Sequence, residues 1–508
     1  MNIYTTEQLR AIRRATLESE GIASIELVHR FAEGVAAEIL SRFSPSRPTV
    51  VYAGSGGNGA VALSVARIIS EAGFQPHVLL FNFNGNSLSR DCNVAFHELM
   101  ANELPFTLTE IRDRAELPAL GPDMLIVDGL FGSGLKDPLS GGFMMLARNI
   151  SESGATVISI DLPAGLFPDW NSRIIGRNVV HADLTIAPQF PHLSFMLADN
   201  AEMVGRWKTV DIGLVERGVD PAALKYFFVD REDVRNVLRE RPPFSSKADY
   251  GSALLLAGSY GMMGAAVMSA RACIRAGVGK LTVHSARWGF TVMQSQVPEA
   301  LFEPDPNDIL ISDMTPRLTY NAIGVGPGIG MNDATRGAFE TLVKSSNNLK
   351  RPMVIDADGI NILARNPQLL DHLYPCTILT PHAGEFDRLF GAQSSAENRL
   401  LRALEMARKY KIIIVLKGHY TATVRPDGKV FFNSTGNAGM ATGGSGDALT
   451  GIIIALLAQG YKPEAAAVAG VFIHGTAGDI GAEIQGQYGL SGLDIAENVG
   501  KAIKQIMS

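Results

Sequence analysis

An α/β protein made of two doubly wound domains is what this sequence predicts, and three observations carry that reading. Strand-like and helix-like segments alternate along nearly the whole chain. The strands are aliphatic or β-branched runs that end in Gly, Asp or Asn, the pattern of buried parallel strands whose carboxyl ends carry ligand loops. The alternation breaks once, in the charged stretch VERGVDPAALKYFFVDREDVRNVLRERPPFSSK from Val215 to Lys247, and then restarts. A chain of 508 residues is long for one domain, so two are expected. The break lies near residues 216–240 and divides the chain into 1–220 and 221–508.

In the first half PTVVYAG reads as a strand and AVALSVARIISEAG as the helix after it; QPHVLLFNF, DMLIVDGLFG and ATVISIDLPAG are further strands. In the second half GSALLLAGS is a strand and GAAVMSARACIRAG a helix. KLTVHSA, YNAIGVGPG, RPMVIDADG, CTILTPH and IIIVLKG follow as strands, and the run Met440–Gly460 closes the series with a Gly-rich loop and an apolar helix. No short repeat or low-complexity tract interrupts the order.

Composition narrows the function. Hydrophobic residues are 46% and charged residues 19% of the chain, a globular balance. A net charge of −6 points to neither nucleic acid nor an anionic membrane surface as partner. Cys92, Cys273 and Cys376 are odd in number and lack Cys-x-x-Cys spacing, which speaks against a zinc site or a disulfide framework and suits a reducing compartment. The N-terminal stretch MNIYTTEQLRAIRRATLESEGIASIEL mixes charges without a signal-type apolar core. Apolar runs such as IIIALLA are shorter than a membrane span. A soluble cytoplasmic protein is expected.

The chemistry concentrates in NAGMATGGSGDALTG. Gly443, Gly444, Ser445 and Gly446 precede a helix, whose N-terminus offers unpaired N–H groups and the positive dipole end to an anion. Asp447 falls in the first turn, beside that anion pocket, where a carboxylate can take a proton from an attacking hydroxyl. Other strand ends add to it. KGHYT (Lys417–Thr421) suits nucleotide phosphates or a plain turn. TPHAGE places His382 and Glu385 to meet a substrate or a hydrated Mg²⁺, or to cap a helix. VGPGIG, GSYGMMGA and IDADG, with Asp356 and Asp358, end three more strands. A parallel sheet gathers these ends on one edge. No Gly-x-x-x-x-Gly-Lys-Ser/Thr run is present, which excludes a P-loop NTPase.

Together, GSYGMMGAA, VGPGIG, IDADGIN, TPHAGE, KGHYT and NAGMATGGSGD, in this order over about residues 240–505, resemble the ADP- or ATP-dependent NAD(P)H-hydrate dehydratases of the ribokinase-like superfamily. The resemblance implies phosphoryl transfer to the hydroxyl of a hydrated NADH or NADPH, then loss of phosphate to restore the cofactor. It implies Asp447 as the group that activates that hydroxyl, Lys417, Gly418, His419, Tyr420, Thr421, Gly446 and the Gly443–Ser445 run at the nucleotide, and Ala265, Gly328 and His382 at the hydrate. ADP or ATP with Mg²⁺ and a homo-oligomeric assembly are further implications. A small-molecule kinase of the same superfamily, acting on a sugar or a vitamin precursor, shares Asp447 and the anion pocket and stands as the alternative.

The first half carries Gly54-x-Gly56-x-x-Gly59 between strand and helix, the form of a dinucleotide fingerprint. The second strand runs out in Phe81-Asn82-Phe83-Asn84 with no acid, which disfavours a Rossmann dehydrogenase and leaves an anion site. Asp128 and Asp161 end apolar strands, where each either faces a ligand or caps a turn. VDGLFGSGL and SIDLPAG resemble the NAD(P)H-hydrate epimerase domain over about residues 1–215, a Rossmann-like fold. That resemblance implies Asp161 as acid–base, the run Gly132, Ser133, Gly134, Leu135, Lys136, Asp137 and Pro138 at the hydrate, and Asn58 and Asp128 as K⁺ ligands. The pattern departs at Val61, where the family has an acid, at Gly57 for an Asn, at Ala164 for a Ser and at Phe190 for a lysine. A weakened or lost epimerase on a retained fold, or a silent ligand-binding or assembly module, is expected.

Overall fold

The computed structural model describes residues 1–83, 87–101, 103–113, 118–172, 178–315 and 319–508; Asn84, at the end of the second strand read from the sequence, lies outside the described residues. The chain divides into two compact units, Asn2–Leu224 and Lys225–Ser508 with Met1.

The first unit is a sheet of seven strands in the order Thr107–Ile111, His77–Phe81, Thr49–Ala53, Leu125–Gly129, Thr156–Ile160, Leu184–Pro188, Arg206–Val210. Every pairing is parallel. Both faces are covered. Along Thr49–Ala53, Val51 and Ala53 enter one apolar cluster while Val50 and Tyr52 enter another, because successive side chains of a strand point to opposite faces. That is why the strands read as continuous apolar runs. The helix Gly57–Glu71 starts at Gly56 without a side-chain cap, so its first N–H groups stay available. Gly59 lets it pack back on the strand: a Cβ there would lie 1.6 Å from the Gly54 carbonyl oxygen.

The second unit has its own sheet. Leu301–Pro304, Lys280–Ser285, Ser252–Leu256, Ala322–Val325, Met353–Ile355, Ile378–Leu379 and Ile413–Leu416 lie side by side and parallel. Ala422–Val424 and Val430–Asn433 follow antiparallel, and Tyr226–Val229 joins the last of these in parallel. The helix Ser445–Ala458 is apolar on nearly every side because it is enclosed: Ala448 and Ile452–Leu457 all belong to the unit's core. Gly451 lets the helix Met263–Arg275 approach closely, since a Cβ would meet the Ser269 carbonyl oxygen at 2.0 Å. The helix Pro463–Gly489 is, among the described residues, the one long and apolar enough to cross a membrane by length and composition, and 67% of its apolar window is buried inside the protein.

Candidate active sites

The parallel strands of the second unit deliver their loops to one edge. Asp356 follows Met353–Ile355, His382 follows Ile378–Leu379 and Lys417 follows Ile413–Leu416. The backbones of His382 and Lys417 form a parallel bridge. The Lys417 Nζ donates to Asp356 Oδ1 at 3.0 Å and lies 3.9 Å from Glu385 Oε2. The other Asp356 oxygen accepts from Thr450 Oγ1 at 2.9 Å. Burial alone would strip the Lys417 proton, but Asp356, Glu385 and Asp447 outweigh it and raise the lysine's pKa.

Glu385 has the cap role that the sequence offered as one reading. Its carboxylate accepts from the His382 amide at 2.9 Å, and His382 Nδ1 accepts from Gly384 N at 3.0 Å. The carboxylate still faces Lys417, so capping and site electrostatics share one side chain.

Asp447 sits in the first turn of Ser445–Ala458. The loop reverses at Gly444, whose φ of 87° belongs to the left-handed region open to glycine. Burial, then the negative charge of Asp356, push Asp447 up to about 6; Asp358 and Glu385 add to this and Lys417 opposes it. A carboxyl poised there is a proton acceptor near neutral pH.

Beside it opens a cavity of about 710 Å³ whose walls include His382, Lys417, Gly418, His419, Thr421, Ser445 and Gly446. Gly443, Gly444, Tyr420 and Asp447 are not in its lining. Tyr420 instead packs on His419, ring centroids 4.3 Å apart. Gly328 and Ala265 are brought together, a Cβ on Gly328 falling 3.1 Å from the Ala265 methyl. Asp358 Oδ2 accepts from Gly330 N at 2.9 Å and ties the VGPGIG loop to the acid cluster.

Two contributors escaped the sequence reading. His474 Nε2 donates to the Ser445 carbonyl at 2.9 Å and fixes the helix start; burial lowers its pKa to about 4, so it is neutral. Asp479 accepts from Gly436 N and Asn437 Nδ2, both at 2.9 Å, and pins the front of the glycine loop. Both project from the interior of the long helix Pro463–Gly489, where nothing in the sequence marks them as partners of a loop some 30–40 residues earlier.

In the first unit a cavity of about 610 Å³ is lined by Arg13, Asn58, Val61, Gly132, Ser133, Gly134, Leu135, Lys136, Asp137 and Asp161, among others, but not Pro138. Asp161 takes a left-handed φ of 66°, a conformation that costs energy for a residue with a Cβ. Its Oδ2 accepts from Ser133 N at 2.7 Å. Its Oδ1 accepts from His192 Nε2 at 2.8 Å, with His192 only 1% exposed. Burial opposes ionisation of Asp161, yet the His192 imidazole, with help from Arg13 and Ser133, drives its pKa well below the ordinary carboxylate range. His192 is the residue the sequence reading missed here. It stands two positions beyond Phe190, which is buried with its ring 4.8 Å from that of Tyr4.

The two residues read as K⁺ ligands differ in setting: Asn58 lines the cavity and Asp128 lies behind it. Asp128 is wholly buried and outside the cavity lining. It accepts from Ser159 Oγ and Ala164 N at 2.8 Å and from Leu130 N at 3.3 Å, and burial pushes its pKa up to about 6. Asn58 turns its Nδ2 to the carbonyls of Phe131 and Ile160, 3.0 Å from each. Both residues serve as braces of the turns around Asp161, and Ala164 contributes its amide to that bracing.

Comparison with known proteins finds two families along the chain. The family described as NAD(P)H-hydrate dehydratase matches residues 253–500, and the one described as YjeF-related protein N-terminus matches residues 24–194. The bifunctional NAD(P)H-hydrate repair enzyme Nnr of Thermofilum pendens is 31% identical, the alignment covering 100% of this chain and 97% of that one. The enzyme of the same name from Moorella thermoacetica is 31% identical over 95% of this chain and 90% of its own. Among solved structures, the ADP/ATP-dependent NAD(P)H-hydrate dehydratase from Bacillus subtilis co-crystallized with ATP/Mg²⁺ is 30% identical, covers 55% of this chain and 98% of its own, and has a TM-score of 0.48.

Proposed function

This chain belongs to the bifunctional NAD(P)H-hydrate repair enzymes, and from that premise we propose that its second unit dehydrates the S form of NADH or NADPH hydrate at the expense of ADP or ATP. The observation that carries the reading is Asp447, a half-buried carboxyl with pKa near 6 in the first turn of a helix, next to Lys417 and a glycine-lined cavity. Asp447 takes the proton of the substrate hydroxyl as that oxygen attacks the terminal phosphoryl group of the nucleotide. The helix N-terminus and Lys417 hold the charge that develops on the transferring group. Phosphate then leaves with the former hydroxyl oxygen, the neighbouring ring carbon gives up a proton to solvent, and the double bond of the dihydronicotinamide is restored.

Magnesium would enter with the nucleotide and meet carboxylate oxygens of the acid cluster beside Asp447. Asp356, Asp358 and Glu385 supply carboxylate oxygens, yet among the described residues no group of three or more His, Cys, Asp or Glu side chains makes a metal cage. Mg²⁺ characteristically binds one or two carboxylates and completes its shell with phosphates and water. When bound it supplies neutralisation of phosphate charge.

The first unit is read as an epimerase-type site with reduced activity. Asp161 is present, ionised and in the cavity wall, but Val61 offers that cavity an alkyl group where a polar one is expected. NADH hydrate with ADP, and separately with ATP, should regenerate absorbance of NADH; accumulation of a stable phosphorylated alcohol would instead support the kinase alternative. The epimerase reading is checked in the full-length Asp447→Asn protein supplied with the R form. Conversion to the S form at a rate matching wild-type dehydration would defeat it.

A further inference from the structure

A second cavity in the second unit, about 470 Å³, is lined by Met331, Asn361, Ala364, Arg365 and Arg388. Its walls are linked along the chain to the loops of the acid cluster in three places. Met331 follows Gly330, whose amide holds Asp358. Asn361 and Arg365 stand three and seven residues beyond Asp358 on the helix Ala357–Arg365, and spacings of i, i+3 and i+7 share one helix face. Arg388 lies on the helix Ala383–Phe390, which His382 caps.

The cavity's polar lining has one sign of charge. Arg388 Nε donates to Asn361 Oδ1 at 3.1 Å, which orients its guanidinium. Arg365 makes no hydrogen bond or ion pair among the described residues, and no carboxylate is in the lining. Two guanidiniums facing one space, one braced by an amide, form a fork for phosphate oxygens. The dinucleotide substrate carries such groups at a distance from its reacting ring: a diphosphate in both hydrates, and a 2′-phosphate in NADPH hydrate alone.

We propose that Arg365 and Arg388 form a phosphate subsite that anchors the far part of the dinucleotide substrate while its hydrated ring lies at Asp447. The inference rests on the repair reading of the same unit. It assigns binding, not chemistry, to the pair, so loss of the fork raises KM and leaves kcat.

The test compares wild type with Arg365→Gln, Arg388→Gln and the double variant, each checked for an unchanged melting temperature. Steady-state kinetics are measured with NADH hydrate and with NADPH hydrate, varying the hydrate and the nucleotide in turn. The double variant should raise KM for hydrate about 10- to 100-fold, as expected for lost charged hydrogen bonds, with kcat and the KM for ADP or ATP unchanged. A rise with both hydrates assigns the diphosphate; a rise with NADPH hydrate alone assigns the 2′-phosphate. An unchanged KM with both overturns the proposal, as does an equal fall in kcat. Equilibrium titration of the same proteins with NAD⁺ and NADP⁺ separates this from the repair reading. If wild type fails to regenerate NADH, the repair reading falls, while weaker dinucleotide binding by the variants still supports the subsite and unweakened binding still overturns it.

Discussion

Asp447 and Asp161 are both carboxyls withdrawn from water at the loop edge of a parallel sheet, and their proton affinities move in opposite directions. Burial pushes on both. Around Asp447 the burial is reinforced by Asp356, Asp358 and Glu385 and opposed by Lys417, which is already shared with Asp356, so its pKa rises to about 6. Around Asp161 a dedicated imidazole, His192, overrides the burial and the carboxylate stays ionised. The charge of the partner, and whether the partner is spoken for, decides the proton state more than burial does. One site is thereby prepared to pick up a proton during turnover near neutral pH. The other is held as a fixed anion.

The largest effect that would break this comparison is at Asp447. Replacing it with Asn removes the proton acceptor and should lower kcat of dehydration by about 10²- to 10⁴-fold with nucleotide binding retained. The same substitution removes a carboxylate that the fold disfavours. Since the folded pKa is raised, ionisation of Asp447 costs stability as pH rises through 6, and Asp447→Asn should melt at a higher temperature than wild type at pH 8. An active Asp447→Asn protein would remove this residue from the chemistry; a less stable one would contradict the electrostatic account.

His192→Asn comes next. It leaves the Asp161 carboxylate buried without its imidazole partner, and a buried charged acceptor left unsatisfied costs about 3 kcal/mol. For Asp161 the sign is the reverse of Asp447. Its folded pKa is depressed, so its ionisation stabilises the protein above about pH 4, the ordinary carboxylate value, and that contribution fades as acid protonates it. Unfolding of the first unit should therefore shift toward neutral pH in His192→Asn, followed by near-ultraviolet circular dichroism across pH 3–7. Coincident acid transitions for the two proteins would mean that His192 does not hold the charge.

These two sites also mark what could be read in the chain. Each parallel strand shows as an apolar run ending in a small or acidic residue, because both faces of the sheet are covered and the loops carry the polar groups. Asp447, Lys417 and Asp161 could be singled out for that reason. His192, His474 and Asp479 could not, because their importance comes from a tertiary partner with no fixed spacing in sequence. The left-handed φ of Asp161 was equally hidden, since neighbours impose it rather than local preference. Asn58 and Asp128 show a second kind of hidden role. Their positions suggested ligands, and the folded chain spends them on its own amides and carbonyls.

A smaller effect is expected from restoring polarity around Asp161. Val61→Asp places a carboxylate in the cavity wall, and Ala164→Ser returns a hydroxyl. Val61 is in the lining whereas Ala164 is fully buried outside it. The first substitution should raise epimerisation about tenfold, equivalent to one well-placed hydrogen bond, and the second little. Conversion of R to S hydrate in the Asp447→Asn background measures both. A gain confined to Ala164→Ser would show that bracing of Asp128, rather than cavity polarity, limits the site.

The smallest effect concerns Lys417. In wild type, kcat/KM for dehydration should fall on an acid limb centred near pH 6, losing tenfold per pH unit below it, because only the ionised Asp447 accepts a proton. Lys417→Gln removes a cation that favours that ionised form. Since the ammonium is shared with Asp356, 3.0 Å away, its hold on Asp447 is at the weak end for an opposite charge, and the limb should move up by about one pH unit. Nucleotide KM will rise as well, so the position of the limb, read at saturating nucleotide, isolates the electrostatic role. A limb that stays in place would mean that Asp356 absorbs the whole field of Lys417. A limb that moves down would mean that the neighbouring acids rearrange once Lys417 is gone and no longer repel Asp447. In either case Asp447 would be governed by its fellow acids alone, and its contrast with the imidazole-held Asp161 would be complete.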